Sequence, residues 1–208
     1  GVAASISVDG NMIVSGISTF GGDVQVPDKI IHSGDTNTAI RFPAADTITA
    51  ETGGSERLRI DSGGKLLIGT TSHQAAYGTS ALQIAGTSSA TSSMSLIRHG
   101  NSPYLTLGSS GGSSLGAVTA LSSGDRIGQL TFAGADGTDI NTHAASIAAY
   151  VDGSVSSNNV PARIVFATGP LETERLRIDS NGMIGFGGVI PKTQNTFDAI
   201  EFGKTGFL

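Results

Sequence analysis

The feature that most constrains this chain is an internal repeat. Ser55 to Gly69 reads SERLRIDSGGKLLIG and Thr173 to Gly187 reads TERLRIDSNGMIGFG, nine identities in fifteen positions at an offset of 118 residues. A solenoid repeats every 20–50 residues or so, which makes this offset too long for one rung and better suited to modules strung along a chain. Each copy also follows a Gly-Asp pair (Gly34-Asp35, Gly124-Asp125) and a short apolar stretch, residues 39–42 and 127–132. That shared approach predicts a common module before the repeat proper.

Within the repeat, Leu58 and Ile60 alternate with Arg57 and Arg59, which gives a strand one apolar face and one charged face. Ser62-Gly63-Gly64, or Ser180-Asn181-Gly182, interrupts the alternation and calls for a turn. A two-residue loop would set Arg59 against Ile68 and Arg177 against Phe186. A three-residue loop instead sets Ile60 against Leu66, Leu58 against Ile68, Ile178 against Ile184 and Leu176 against Phe186. Apolar side chains then meet across the hairpin, and Gly64 and Gly182 fall at the loop position that needs a left-handed backbone. The sequence therefore predicts positive φ at both glycines.

The rest of the chain follows the same grammar. Strands are predicted at residues 5–8, 12–15, 24–31, 47–51, 81–84, 95–98, 104–107, 126–132, 144–151 and 163–167, bounded by Gly, Asn, Asp and Ser clusters. Residues 144–151 are the one stretch that also suits a helix, through their alanines; Ile147 and Val151 fit an alternating strand better. Composition agrees with a β chain: 30 of 208 residues are Gly, 47 are Ser or Thr, and Ile plus Val outnumber Leu by 30 to 13. β-Branched side chains favour strands. Leu, Ile, Val and Phe together number 51, above the share that marks disorder.

Several function classes drop out. No apolar run approaches the roughly 20 residues needed to span a bilayer, and the start lacks a signal-peptide pattern. Without Cys there is no disulfide framework, thiolate nucleophile or Cys-based zinc site. A net charge of −5 with scattered Lys and Arg speaks against a nucleic-acid surface. The first residue is Gly and the last ones read as part of another strand, as in a portion of a longer polypeptide.

Short strands with few inward residues and frequent Gly bury little apolar surface and leave their edges open. Closed assembly of three chains about one axis would bury the apolar faces and pair the edges. The fold expected is all-β: an elongated, fibrous homotrimer of short β-hairpin modules with intertwined or closely packed chains. Five regions are expected: an N-terminal β segment (1–29), a first repeat module (30–72), a Ser/Gly-rich connector (73–115), a second module (116–190), and the start of a following segment (191–208).

Here the residues carry a resemblance. Glu56 to Gly69, as ERLRIDSxGxxxIG, resembles the repeat of tailed-phage tail-fibre and related virion fibre proteins, particularly those of marine phages. The string GDRIGQLTFAGADGTDI from Gly124, and AASIAAYVDG from Ala144, resemble the module that precedes the repeat in such fibres. The second copy matches less fully, with Phe186 where the pattern has Ile. It also runs into Gly188-Val189-Ile190-Pro191 where the pattern continues with TTSP, a sequence that Thr70-Thr71-Ser72 nearly reproduces before His73. The resemblance implies a homotrimeric virion appendage, working outside the cell, that joins other tail or baseplate proteins and reaches a host glycan or receptor through a distal tip. Such fibres often end in a separate tip or a self-cleaving chaperone domain, and no segment here resembles that chaperone's catalytic region.

Candidate chemistry is sparse. Glu172 and Glu174, two apart on one strand, would stand about 7 Å apart, within reach of a glycosidase pair. Yet Glu174 repeats Glu56, and Gly54 stands where Glu172 does, so pairing with Arg57 or Arg175, or with a neighbouring chain, explains the repeated Glu better. Asp136 and Asp139 lack the alternating ligands and closing Glu of a calcium loop and read as a solvated turn. His32, His73, His99 and His143 are scattered; one of them on a threefold axis could meet its symmetry mates around a metal, but exposed or hydrogen-bonded His is the simpler reading. Arg57, Arg59, Arg175 and Arg177 read as a charged outer face that discourages sideways sheet growth rather than a contact for anionic glycans. Eight Phe, three Tyr and no Trp are few for a sugar-stacking platform. No catalytic set, cofactor or metal is predicted. The sequence reads as a structural fibre component, with a receptor- or glycan-binding module, a β-helical polysaccharide depolymerase and a bacterial trimeric adhesin as the alternatives.

Overall fold

The computed structural model describes residues 16–76 and 78–190, together with Ser5–Ile6, Met12–Val14 and Ile200–Glu201. Among the described residues fourteen strands are defined: β1 (Ser5–Ile6), β2 (Met12–Ile13), β3 (Lys29–His32), β4 (Asp35–Arg41), β5 (Ile48–Thr52), β6 (Ser55–Ile60), β7 (Leu66–Ile68), β8 (Leu82–Ile84), β9 (Arg126–Gly134), β10 (Thr142–Val151), β11 (Ala162–Thr168), β12 (Thr173–Ile178), β13 (Ile184–Phe186) and β14 (Ile200–Glu201). No helix occurs among the described residues, so none is long and apolar enough to cross a membrane. The chain is all-β. It divides into two compact units, one of Gly1–Thr71 with Leu82–Ser92, the other of Ser72–Ala81 with Ser93–Leu208.

Each unit holds one six-stranded sheet, in the orders β3-β4-β5-β6-β7-β8 and β9-β10-β11-β12-β13-β14. In both, five strands run as an antiparallel meander and the sixth returns parallel to the fifth. The duplication is therefore larger than the fifteen-residue string. Leu82 pairs with Leu66 as Ile200 pairs with Ile184, again 118 residues apart. A shared β-bulge lies in the repeated strand itself, where Arg57 in the first sheet is the extra residue opposite Ala50–Glu51 and Arg175 in the second is the extra residue opposite Phe166–Ala167.

The repeated hairpin has the register set by matching apolar residues. Leu58 faces Ile68 and Ile60 faces Leu66; Leu176 faces Phe186 and Ile178 faces Ile184. Gly64 (φ 74°) and Gly182 (φ 82°) take the left-handed conformation. The loop is held by an aspartate in the same way twice. Asp61 Oδ1 accepts the amides of Gly63 and Lys65, both at 2.9 Å, and Asp179 Oδ1 accepts those of Asn181 and Met183, both at 2.9 Å. Such a side chain satisfies turn amides that have no ladder partner.

Several expectations are corrected. The Gly-Asp pairs do not mark equivalent places: Asp35 opens β4, the second strand of its sheet, whereas Asp125 precedes β9, the first strand of the other. The counterpart of residues 39–42 is thus β10, and a local Gly-Asp turn signal carries no information about strand order. Residues 24–28 lie outside the strand, which begins at Lys29; Pro27 supplies no amide for a ladder. Residues 95–98 and 104–107 form no strand. Residues 144–151 lie within β10, a strand. Of the strands expected at 5–8 and 12–15, Ser5–Ile6 and Met12–Ile13 pair with each other; residues 7, 8 and 15 lie outside the described residues, as does most of 191–208.

Candidate interaction surface

Ladder register places every strand side chain on one of two faces. In the first sheet Ile30, Ile40, Ala50, Leu58, Ile68 and Ile84 stand opposite one another across all six strands. Ile48, Ile60, Leu66 and Leu82 form a second row on the same face. The second sheet repeats the pattern with Leu130, Ile147, Phe166, Leu176 and Phe186, beside Gly128, Ala149, Ile164, Ile178 and Ile184. These rows contain no charged or polar side chain.

None of the residues in these rows is fully buried in the chain. Ile30 is 55% exposed and Leu130 47%, with Ile40, Ile48, Ile60, Ile164 and Ile178 exposed as well. Apart from Val151 at the end of β10, the buried strand side chains lie instead on the opposite face. There the first sheet has the row Lys29, Arg41, Thr49, Arg59, Leu67, in which Thr49 and Leu67 are almost completely enclosed. The second has Gln129, Ala148, Val165 and Arg177, with Ala148 and Val165 buried. Small side chains flanked in a row by long ones, as Thr49 is by Arg41 and Arg59, are shielded by the aliphatic stems of their neighbours.

The charged face is paired within the chain. Glu56 takes Arg59 in a two-pronged contact, both bonds 2.7 Å, and Glu174 takes Arg177 in the same way. Each carboxylate pushes its guanidinium further above the ordinary arginine value, through the hydrogen bonds first. The partners differ from those expected: Arg57 and Arg175 do not reach these glutamates but donate to Thr52 Oγ1 (3.0 Å) and Thr168 Oγ1 (2.9 Å) across the preceding hairpin. The register shift explains this. Strict alternation would put Glu56 and Arg59, three apart, on opposite faces. The extra residue Arg57 brings Glu56 opposite Glu51, on the face that carries Arg59, and Arg175 does the same for Glu174.

Glu172 does not share a strand face with Glu174. It precedes β12 in a loop, at φ 50°, a left-handed conformation uncommon for a residue with a Cβ. Its carboxylate takes Arg126 Nη2 at 2.8 Å and Gln129 Nε2 at 3.3 Å, and lies 3.7 Å from His143 Nε2. His143 is buried and its Nδ1 lies 3.0 Å from the Gly169 carbonyl. Because a carbonyl can only accept, Nδ1 carries the proton in that contact. Arg126 and Arg163 also flank the Tyr150 ring, at 5.4 and 5.0 Å from its centre. Sequence reading missed this cluster, because strands β9, β10 and the β11–β12 corner contribute to it from far apart in the chain.

The remaining candidates do not converge. Asp136 accepts from the amides of Thr138 (2.8 Å) and Asp139 (3.2 Å) and the hydroxyl of Thr142 (2.8 Å). Those donors, the Thr138 amide first, hold its carboxyl below the ordinary value, as befits a turn. Asp139 accepts from the Asn141 amide at 2.7 Å. His73 Nε2 accepts from the Ser80 amide at 3.3 Å, and His32 and His99 are exposed. Among the described residues no three His, Asp or Glu side chains gather as metal ligands would.

The arrangement defines a class before any particular relative: an all-β chain of two like six-stranded sheets whose apolar faces are largely uncovered. No protein-family model matches the chain, and no curated protein matches it by sequence. Its fold is similar to that of the carboxy-terminal domain of the bacteriophage T5 L-shaped tail fibre, with a TM-score of 0.58, 15% identity, and coverage of 90% of this chain and 93% of that one. The same domain solved with its intramolecular chaperone domain gives a TM-score of 0.59 and 17% identity, over 90% of this chain and 70% of the other. At these identities the likeness is one of fold.

Proposed function

We propose that this chain is a structural component of a bacteriophage tail fibre, part of a homotrimeric shaft that supports host attachment from the virion. The observation that carries the reading is the pair of uncovered apolar faces, matched row for row in two sheets of one chain. A contiguous apolar surface of this kind marks an interface, and a copy of the chain brings an identical face to the same height. Fold similarity to a phage tail-fibre domain supports the choice of fibre over other assemblies. The role is mechanical: interchain burial stiffens the shaft, with modules at 30–72 and 116–190 joined by the connector at 73–115 and flanked by the segments 1–29 and 191–208. The ERLRIDS repeats mark the modules. Because the carboxylates of the repeat are engaged by arginines, this reading assigns them to structure and not to hydrolysis.

Sedimentation equilibrium at micromolar concentration tests it. A single species of three chains is expected, and a monomer at all concentrations would overturn the fibre reading. Virions lacking the chain are expected to lose host adsorption; unchanged adsorption would remove the attachment role while leaving the assembly.

A further inference from the structure

Between the two sheets the sequence writes a hairpin that the single chain does not make. Residues 94–98 (Met-Ser-Leu-Ile-Arg) and 103–107 (Pro-Tyr-Leu-Thr-Leu) flank His99-Gly100-Asn101-Ser102, a strand–turn–strand pattern with Gly100 at φ 82°. In the chain these two arms form no strand and no helix. Among the described residues, the backbone from Ser93 to Gly108 makes one hydrogen bond, from the Ser102 amide to Asn101 Oδ1 at 2.7 Å. The neighbouring loops differ: the Thr91 amide bonds to Ser88 O, Gly111 to Thr119 O, and Ala117 to Ser114 O.

The side chains of the arms are as open as their backbone. Ile97 is 77% exposed and Tyr104 78%, with Met94, Leu96, Leu105 and Leu107 exposed too. Leu96 and Ile97 are adjacent, as are Tyr104 and Leu105, so either pleat would have apolar residues on both sides. Strands of that kind are covered on both faces in finished structures. Arg98 is the one Lys, Arg, Asp or Glu in the whole stretch, so charge presents little obstacle to close approach of like segments.

We propose that residues 94–107 are completed by the same segment of neighbouring copies of this chain, forming β-ladders between chains that none of them forms alone. The inference rests on the homotrimeric reading and goes beyond it by naming a segment whose secondary structure belongs to the assembly. Two observations select a second copy as the occupant. The segment lies in sequence between two sheets whose uncovered apolar faces call for the same partner, and an in-register cyclic assembly brings identical segments level with one another. It is also continuous with one of those faces: Leu107 sits against Gly128, where it lines a groove with Leu130, Ile147, Ala149 and Ile164. Pairing satisfies the open amides and carbonyls, and the apolar side chains of both pleats are covered in the same step.

Hydrogen exchange on the isolated assembly, with the oligomeric mass measured on the same sample, decides it. Amides of residues 94–98 and 104–107 are expected to exchange on the order of a hundredfold more slowly in the assembly than on dilution to monomer. Ile97→Asp is expected to abolish that protection while the amides of β10 and β11 stay protected. A trimer whose 94–107 amides exchange freely would overturn this inference and leave the fibre reading standing. A chain that is monomeric throughout would overturn both. Protection that persists in the monomer would show that the segment is covered by its own chain and would also overturn it.

Discussion

The two sheets carry the same repeat and close the hairpin before it differently. In the first, β5 turns into β6 through Gly53-Gly54, both left-handed (φ 59° and 71°), the two-residue turn whose twist matches that of the strands. In the second, Gly169-Pro170-Leu171-Glu172 takes that place, two residues longer. The added length places Glu172 where it can hold Arg126 and Gln129 of β9, three strands away in the sheet. The first sheet uses minimal turn geometry; the second adds a polar clasp at the cost of a left-handed glutamate. What stays constant is the Arg–Glu pairing, the Asp-held loop and the uncovered apolar face.

A second contrast lies in the centre of the repeat. Leu67 and Gly185 occupy the same ladder position, opposite Arg59 and Arg177. Leu67 is 0% exposed. Leu67→Ala is therefore expected to have the largest single effect, a loss of about 2–5 kcal/mol in the first unit by denaturant unfolding. The second unit places no side chain there, and Val165, two strands along the same row, is buried. A Leu67→Ala loss below about 1 kcal/mol would mean that the site is not the packing centre of its sheet.

Loop equivalence is tested next. Gly64→Val and Gly182→Val should each cost about 1–2 kcal/mol, because a β-branched residue is poorly accommodated at positive φ. The two losses should agree within experimental error, as the loops share their hydrogen bonds. Unequal losses would show that the copies are alike in sequence and not in mechanics.

The clasp separates into strain and charge. Glu172→Ala and Glu172→Gly both remove the carboxylate, but only alanine keeps a Cβ at φ 50°. The glycine variant should be the more stable of the two by about 1 kcal/mol, read by the melting of the second unit. Equal stabilities would show that the left-handed backbone carries no penalty.

The smallest effect is a pH dependence. Burial raises the Asp152 carboxyl, but the Ser180 amide and the Arg163 guanidinium outweigh it and hold it below the ordinary aspartate value. A group lowered on folding contributes stability above its unfolded value, about 3.9, and the contribution is lost as pH falls through the lower folded value. The second unit should therefore lose stability below roughly pH 4. Asp152→Asn should flatten that limb, measured by thermal melts between pH 2 and 6, and an unchanged acid limb would remove Asp152 as its source.

Some of this was legible in the sequence. The hairpin register follows from Leu58, Ile60, Leu66 and Ile68 because a one-residue slip would set arginine against isoleucine. The positive φ at Gly64 and Gly182 follows from the same choice of loop length. The arginine partners were misread because strict alternation puts Arg57 and Arg59 on one face away from Glu56, whereas the bulge at Arg57 shifts Glu56 to the face of Arg59. The clasp was invisible because Glu172 lies more than forty residues from Arg126 and Gln129. The 95–98 and 104–107 strands were expected from pattern alone, and pattern does not say whether a ladder partner exists within the same chain.

The repeat, read by itself, determined that this is a β chain of duplicated modules, each with one apolar and one charged face, because alternation and turn chemistry are local properties. Only the tertiary structure decided which strands are neighbours, that each meander closes on a parallel sixth strand, and which face is buried. That last point reversed the plain expectation, since most of the enclosed strand side chains lie among the arginines and the apolar face is largely open. Burial depends on what covers a surface, and no local pattern of residues specifies its own cover.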